Sequence, residues 1–296
     1  MTIEGKAMAP NIKRVITVCE ARDMRVWKIA SERILRHIDA ESYQLVCPDA
    51  QVSLFREATP PGWEVLGEDA FTHDCTVAMI RERVTGENTQ RVNWLFQQFV
   101  KMNAIRRSDL GAGDVVLIWD SDTIPLRDLR FVDSDTGRLL CYHGRERHLP
   151  YFRTIEAVLG FGRKAEVSFI AQCLPLRVGW LREMIAEIES RSRCPYAEAV
   201  LACLPGESAA EFSEYETIGS WMISRHAESV GFKGANLWIR RGSSFFPHNL
   251  SGFVARALFA FLGMRYDFVS IESWKAEPIL GRVIRAAILR ITSYLR

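Results

Sequence analysis

Short apolar runs alternate with stretches of helical periodicity over the first 120 residues of the chain. Four of the runs are too short for helices and end in polar or turn residues, which is typical of buried strands. They cover residues 15–19, 43–47, 63–66 and 115–119. Between the first two, apolar residues recur at helical spacing up to His37. This strand–helix–strand order predicts a parallel sheet with helices packed on it, as in nucleotide-binding α/β domains.

Residues 89–105 form a predicted helix with an unusual polar face. Its apolar face is formed by Val92, Leu95, Phe96, Phe99 and Met102, and its polar face by Arg91, Trp94, Gln97, Gln98 and Lys101. Tryptophan is seldom left in water, and Arg and Lys side chains suit a diphosphate. We therefore expect the polar face to line a ligand cleft. The alternative is a surface helix whose tryptophan packs under a loop.

The fourth predicted strand ends in two aspartates one residue apart, Asp120 and Asp122. Ligands of open α/β sheets gather at the carboxyl ends of the strands, and in an extended tip both side chains project to the same side. Two such close carboxylates raise each other's pKa unless a cation lies between them. Hard carboxylate oxygens favour Mg²⁺ or Mn²⁺. Alternatively, Asp120 caps a turn and Asp122 faces solvent.

A capping pattern predicts that a helix begins after Ser213. With Glu216 at the third helical position, Ser213 forms a capping box, so Glu216 has a structural role. Glu214, at the first helical position, is explained only by the helix dipole and is therefore freer to be a functional carboxylate. The intervening chain predicts helices over residues 151–159 and 174–190 and a strand over residues 167–172.

The C-terminal part of the chain is basic. Residues 251–296 carry seven Lys/Arg against three Asp/Glu, and we treat them as a helical extension packed on a domain of residues 1–250. Residues 278–296 combine an apolar stripe with arginines at positions 282, 285 and 296. Such a helix can lie on an anionic membrane surface or pack its stripe on the domain, and the sequence leaves both open.

Overall composition excludes several classes of protein. The chain has 296 residues, 48% of them apolar and 25% charged, with a net charge of +2, so no general polyanion-binding surface is expected. Its seven cysteines are scattered and include no Cys-x-x-Cys pair, which fits a reducing cytosol better than a disulfide framework or a zinc site. We expect no signal peptide and no membrane span.

Three blocks of the sequence together resemble DXD-type glycosyltransferases of the GT-A fold, in particular bacterial enzymes associated with surface-polysaccharide synthesis. The blocks are residues 15–23, residues 94–101 with the strand that ends in Asp120-Ser121-Asp122, and residues 212–219. The resemblance implies an α/β, Rossmann-like mixed sheet flanked by helices. It also implies a cytoplasmic enzyme that moves a sugar from a nucleoside-diphosphate sugar to a saccharide or glycolipid hydroxyl, without a role for nucleic acid.

The resemblance also implies roles for individual residues. Asp120 and Asp122 hold Mn²⁺ or Mg²⁺ on the donor diphosphate, where the metal neutralises the charge of the leaving group. Glu214 takes the proton from the acceptor hydroxyl as general base. His248 is the first candidate for a third metal ligand and His226 the second. The remaining donor-binding candidates are Thr17, Glu20 and Asp23 near the base and ribose, Gln98 and Lys101 near the phosphates or donor sugar, and Ser121.

Two other classes of protein fit part of the pattern. Haloacid-dehalogenase-like phosphotransferases also end a buried strand in Asp-x-Asp, with the first aspartate as covalent nucleophile. They normally carry the motif on their first strand, and Ile124 stands where Thr or Val usually follows. The other alternative is a non-catalytic, transferase-like binding module, against which the intact acidic residues argue.

Overall fold

A computed structural model describes residues 12–72, 74–204, 206–208, 210–242 and 253–272, without the side chains of residues 87, 88, 90 and 253–255. The strands are β1 (Ile12–Val18), β2 (Ala40–Cys47), β3 (Trp63–Gly67), β4 (Val115–Trp119), β5 (Thr123–Pro125), β6 (Leu139–Cys141), β7 (Cys173–Arg177), β8 (Val230–Phe232), β9 (Trp238–Ile239) and β10 (Phe268–Ser270). The α-helices are α1 (Met24–His37), α2 (Val52–Ala58), α3 (Val77–Arg83), α4 (Val92–Arg106), α5 (Leu149–Leu159), α6 (Val178–Ser192), α7 (Tyr196–Ala202), α8 (Glu214–His226) and α9 (Phe253–Gly263).

The central sheet has five strands in the order β3-β2-β1-β4-β7. The first four strands along the chain are parallel, and β7 runs antiparallel to β4. Strands covered by helices on both faces are continuous apolar runs, and every residue of β4 is buried. The four predicted strands and the predicted α/β mixed sheet flanked by helices are thus confirmed.

The fifth strand of the central sheet was wrongly predicted. Residues 167–172, expected to form a strand, are irregular, and the strand is β7, which we had assigned to the start of the helix over residues 174–190. Pro175 lies within β7, and because proline cannot donate a ladder hydrogen bond it is tolerated on an edge strand. Helix α6 therefore begins only at Val178.

Part of the predicted C-terminal extension is built into the domain. Helix α9 is followed by β10, which pairs with β5 directly after the two aspartates and brings Ser270 opposite Thr123. The described part of residues 251–296 is therefore not only helical, while His248 and the predicted basic helix over residues 278–296 lie outside the described residues. No described helix combines the length and the apolar character needed to cross a bilayer.

Packing between α4 and α8 fixes the two helices that border the site. The ring of Phe99 on α4 stacks on that of Phe212, just before α8, with 5.4 Å between centroids. Farther along α8, a Cβ on Gly219 would lie 2.1 Å from Cγ of Phe169, so only glycine allows this close approach. The start of α8 is therefore held against α4.

Candidate active site

A cleft of about 520 Å³ opens at the carboxyl ends of β1 and β4. It is bordered by α4, by the chain around the start of α5, and by the start of α8. Its charged lining residues are Arg22, Asp23, Arg91, Lys101, Asp120, Asp122, Glu146, Arg147, Glu214, Arg240 and Glu272. The cleft thus has the position at which ligands of open α/β sheets bind.

The polar face of α4 forms one wall of this cleft, as the sequence predicted. All five of its members, Arg91, Trp94, Gln97, Gln98 and Lys101, line the cavity. The guanidinium of Arg91 lies 5.3 Å from the centre of the Trp94 ring. The alternative of a surface helix with its tryptophan under a loop is therefore wrong.

Asp120 is held by side chains from both neighbouring helices. Its Oδ1 accepts hydrogen bonds from Nζ of Lys101 at 2.6 Å and from the hydroxyl of Tyr215 at 2.7 Å. Its backbone N–H donates to the carbonyl of Gln172 at 2.9 Å. Among the residues that the structure describes, Oδ2 of Asp120 accepts no hydrogen bond. One carboxylate oxygen is thus fixed and the other is available.

Asp122 shows the same division between its two oxygens. Its Oδ1 accepts from the hydroxyls of Thr123 at 3.1 Å and Ser270 at 3.3 Å, and Oδ2 takes no hydrogen bond from the described chain. Burial, followed by the charges of Asp120 and Asp23, raises the pKa of Asp122 to about 7. A carboxyl group in this position is one whose ionised form a bound cation would stabilise.

Lys101 joins Asp120 to Glu214 across the cleft wall. Its Nζ also donates to Oε1 of Glu214 at 2.7 Å. Burial lowers the pKa of Lys101, but the two carboxylates outweigh burial and raise it overall. Burial raises the pKa of Glu214, and Lys101 opposes this increase. The group is therefore a buried ion triad in which one ammonium serves two carboxylates.

The start of α8 is capped as predicted in one respect and differs in another. The Ser213 hydroxyl accepts from the N–H of Glu216 at 3.3 Å, which is the expected N-cap bond. The Glu216 carboxylate, however, accepts from the hydroxyl of Ser168 rather than completing the capping box. Gln98 supplies another cap, since its Oε1 accepts from the N–H of Glu214 at 2.9 Å. Gln98 thus orients the helix that carries Glu214.

Several predicted site residues lie away from the cleft. Thr17 is fully buried in β1, and its hydroxyl has no hydrogen-bond partner among the described residues. Because side chains alternate along a strand, Thr17 points into the core while Val18 lines the cleft, so the proposed contact of Thr17 with base or ribose is wrong. His226 lies at the far end of α8, stacked on Trp180 at 4.4 Å, which rules it out as a ligand beside Asp122.

The remaining predicted residues are close to the cavity. Asp23 and Ser121 line it. Glu20 lies behind the wall, where it accepts from Nε2 of Gln97 at 2.7 Å. The described chain therefore keeps Asp23 and Ser121 as candidate ligand contacts and makes Glu20 a support for Gln97.

Two contributions to the site were missed from the sequence. Tyr215 directly follows Glu214, but nothing in the local sequence indicates that its hydroxyl reaches Asp120. Arg240 and Glu272 were missed because they come from distant parts of the chain; they are joined by a bond of 3.3 Å, and Arg240 also pairs with Glu146. Only the pairing of β10 with β5 brings Glu272 near Asp122.

The residues present fit a divalent cation shared with a ligand. The described chain contains no cluster of three or more His, Cys, Asp or Glu side chains arranged to hold a metal by themselves. Asp120 and Asp122 nevertheless each keep one oxygen outside the hydrogen bonds of the described chain. Mg²⁺ is commonly bound through one or two carboxylates together with substrate phosphates. This pair fits that arrangement.

The chain belongs to a protein family defined by sequence, Family of unknown function (DUF6492), whose model matches residues 19–229. The match includes the two aspartates, the polar face of α4 and all of α8. A search of curated proteins returned no match. The family therefore places the chain among relatives without assigning it a reaction.

Three of the solved structures that match this chain are glycosyltransferases. The apo bifunctional glycosyltransferase WbbM aligns with a TM-score of 0.44 and 14% identity over 90% of this chain and 46% of its own, so this chain spans about half its length. The galactosyltransferase LgtC, with donor and acceptor sugar analogues, aligns with a TM-score of 0.44 and 10% identity over 91% of this chain and 94% of its own. Mouse xyloside xylosyltransferase 1 aligns with a TM-score of 0.45 and 9% identity over 90% and 99%.

Similarity of this extent carries no argument about the class or the activity of this chain. All three TM-scores are below 0.5. The activity of this chain is therefore inferred from its own side chains.

Proposed function

We propose that this chain is a metal-dependent glycosyltransferase that moves a sugar from a nucleoside-diphosphate sugar to a hydroxyl of a saccharide or glycolipid. One observation carries the proposal. Asp120 and Asp122 lie at the carboxyl end of β4, in the same cleft as the buried carboxylate of Glu214 at the start of α8. The cleft therefore combines a pair of oxygens suited to a metal with a separate carboxylate suited to proton transfer.

On the donor side, Asp120 and Asp122 would hold Mn²⁺ or Mg²⁺. When bound, the metal neutralises the negative charge that develops on the departing diphosphate. Arg22, Arg91 and Arg147 line the same cleft, and guanidinium groups can bind phosphate oxygens in a bidentate manner. Negative charge on the leaving group would thus be met by this chain's own arginines as well.

On the acceptor side, Glu214 would act as general base. Burial raises the pKa of Glu214 from its ordinary value towards neutral pH. A base with such a pKa suits proton abstraction near pH 7. Glu214 would take the proton of the acceptor hydroxyl while the hydroxyl oxygen forms a bond to the sugar carbon and the bond from that carbon to the diphosphate breaks. Lys101 is bound to Oε1, so we assign the proton to Oε2.

The cellular setting belongs to the same proposal. Surface polysaccharide or glycolipid synthesis on the cytosolic side is supported by the resemblance of the three sequence blocks and by seven cysteines that are all free thiols. The basic segment over residues 278–296 would contact an anionic membrane peripherally. Sedimentation with anionic and neutral vesicles tests this part separately.

A thermal-shift panel of nucleoside-diphosphate sugars, with and without Mn²⁺, tests the proposal as a whole. We expect at least one sugar nucleotide to raise the melting temperature only with Mn²⁺, and the shift to vanish in Asp122→Asn. Asp135→Asn, on an exposed turn, is the matched control and should keep the shift. Stabilisation by aluminium or beryllium fluoride alone would instead favour a phosphotransferase, and no response to any ligand would favour a binding module.

A further inference from the structure

The ammonium group of Lys101 is enclosed by groups from three positions. Nζ donates to Oδ1 of Asp120 at 2.6 Å and to Oε1 of Glu214 at 2.7 Å. The centre of the Tyr215 ring lies 4.8 Å from Nζ, within the range of a cation–π contact. The Lys101 side chain is only 10% exposed. Its charge is therefore a permanent part of the cleft wall.

The two carboxylates that share this ammonium come from different elements. Asp120 follows β4, and Glu214 is the first residue of α8. A hard divalent cation also binds between the oxygen atoms of two carboxylates. Sites with two such metal ions are common in enzymes that transfer phosphoryl groups. Lys101 thus occupies a position that has the ligands of a metal site.

We propose that Lys101 is a fixed second cation of this site. It keeps Oδ1 of Asp120 and Oε1 of Glu214 from binding metal, and it leaves Oδ2 of Asp120 and Asp122 for one exchangeable divalent ion. The part that concerns the exchangeable ion rests on the proposed function; the role of the ammonium group does not.

Charge balance gives the same assignment. Asp120, Asp122 and Glu214 carry three negative charges when ionised, and Lys101 carries one positive charge. One divalent ion then makes the group neutral. Replacement of the ammonium by an uncharged group leaves Asp120 and Glu214 facing each other without a counterion, a strongly unfavourable state for buried charges. A second divalent ion would relieve it.

The test is the number of Mn²⁺ ions bound without nucleotide, measured by calorimetry and by electron paramagnetic resonance of free Mn²⁺. Lys101→Met keeps most of the side-chain volume and removes the charge. We expect one ion on the wild type and two on Lys101→Met. The double variant Lys101→Met/Glu214→Gln removes one carboxylate together with the ammonium and should return to one ion. Lys164→Met, at an exposed lysine, is the matched control and should bind one.

The loss of the counterion can also unfold Lys101→Met, so the titration is followed by circular dichroism. Folding of this variant on addition of Mn²⁺ supports the proposal, because a divalent ion then replaces the ammonium. A variant that stays unfolded at saturating Mn²⁺ overturns it.

The outcomes separate this inference from the proposed function. One ion on both wild type and folded Lys101→Met overturns the fixed-cation role and leaves the metal-dependent transferase intact. No ion on the wild type but one on Lys101→Met supports the role of Lys101 and leaves the proposed function to the thermal-shift panel, because the phosphates of the sugar nucleotide complete the metal site there. No ion on either protein overturns the fixed-cation role, whereas the proposed function is overturned when no sugar nucleotide stabilises the wild type with Mn²⁺.

Discussion

Two groups of acidic side chains lie beyond the carboxyl ends of the central strands, and their surroundings differ. The cleft carboxylates (Asp120, Asp122 and Glu214) have a counterion among them, because the ammonium of Lys101 donates to Asp120 and Glu214. The outer acids (Asp49, Glu68 and Asp69) follow β2 and β3. Burial, and then the charges of Asp49, Glu20 and Asp69, raise the pKa of Glu68 to about 7.

The difference shows that acidic clustering alone does not make a site. Among the outer acids, the side chain of Asp49 accepts from the N–H of Asp69 at 2.9 Å, a local structural bond. In the cleft, a lysine holds two carboxylates in place, and both aspartates line the cavity. Glu20 lies between the groups, since it contributes to the raised pKa of Glu68 and also binds Gln97 of the cleft wall.

The largest predicted effect is that of Asp122→Asn. We expect sugar transfer to fall by about 10³-fold or more, because a ligand of the metal that stabilises the leaving group is lost. Asp69→Asn, among the outer acids, should leave transfer unchanged. Both variants are compared by initial rates with saturating donor. Equal losses in the two would remove the distinction between the clusters.

Glu214→Gln should lower transfer by about 10²- to 10⁴-fold, the range of general-base catalysis, while the affinity for nucleotide stays near that of the wild type. Binding is measured by calorimetry and transfer by product formation. Glu68→Gln is the matched substitution among the outer acids and should transfer normally. Retained transfer in Glu214→Gln would place the base elsewhere.

Tyr215→Phe removes one hydrogen bond from Oδ1 of Asp120. We expect the affinity for Mn²⁺ to fall several-fold because Asp120 is held less firmly, and the free energy of unfolding to fall by about 1.5–3 kcal/mol, the usual value for a hydrogen bond to a charged group. Tyr196→Phe is the control. The hydroxyl of Tyr196 donates to Oδ1 of Asn103 at 2.7 Å, and neither residue lines the cleft. It should lose stability without changing Mn²⁺ affinity.

The smallest predicted effect concerns pH and the outer acids. The folded-state pKa of Glu68, about 7, lies above the value of about 4.3 expected for an unfolded chain. The folded protein therefore holds this proton more tightly than the unfolded chain. The protonated carboxyl stabilises the fold below pH 4, and this stabilisation is lost as the pH rises towards 7. Glu68→Gln should match the wild type at pH 4 and be more stable at pH 8, by about 1 kcal/mol once solvent screening of this partly exposed carboxyl is allowed for. Urea unfolding at both values measures this, and an equal difference at both would contradict the assigned cause.

The sequence predicted the elements whose signals are local. The apolar runs of β1 and β4 are buried on both faces and so show no alternation, and the polar face of α4 follows from helical periodicity alone. The N-cap at Ser213 was equally local. These features were enough to predict the architecture and one wall of the cleft.

The remaining features depend on contacts between distant residues. Lys101 and Glu214 are separated by 113 positions, and no spacing rule links an interior helical lysine to a helix start so far along the chain. The burial of Thr17 depends on which residues of β1 face the cleft, and a run that is apolar on both sides does not indicate this. The pairing of β10 with β5 is of the same kind.

The most direct measurement of the central claim is a crystal structure with Mn²⁺ and a nucleoside diphosphate, with anomalous diffraction data collected for manganese. The account predicts one strong anomalous peak, from a manganese ion bound to Asp122, to Oδ2 of Asp120 and to the diphosphate. It also predicts that Lys101 still bridges Asp120 and Glu214. A bound nucleotide with no manganese at these aspartates, or with manganese held elsewhere, would contradict it.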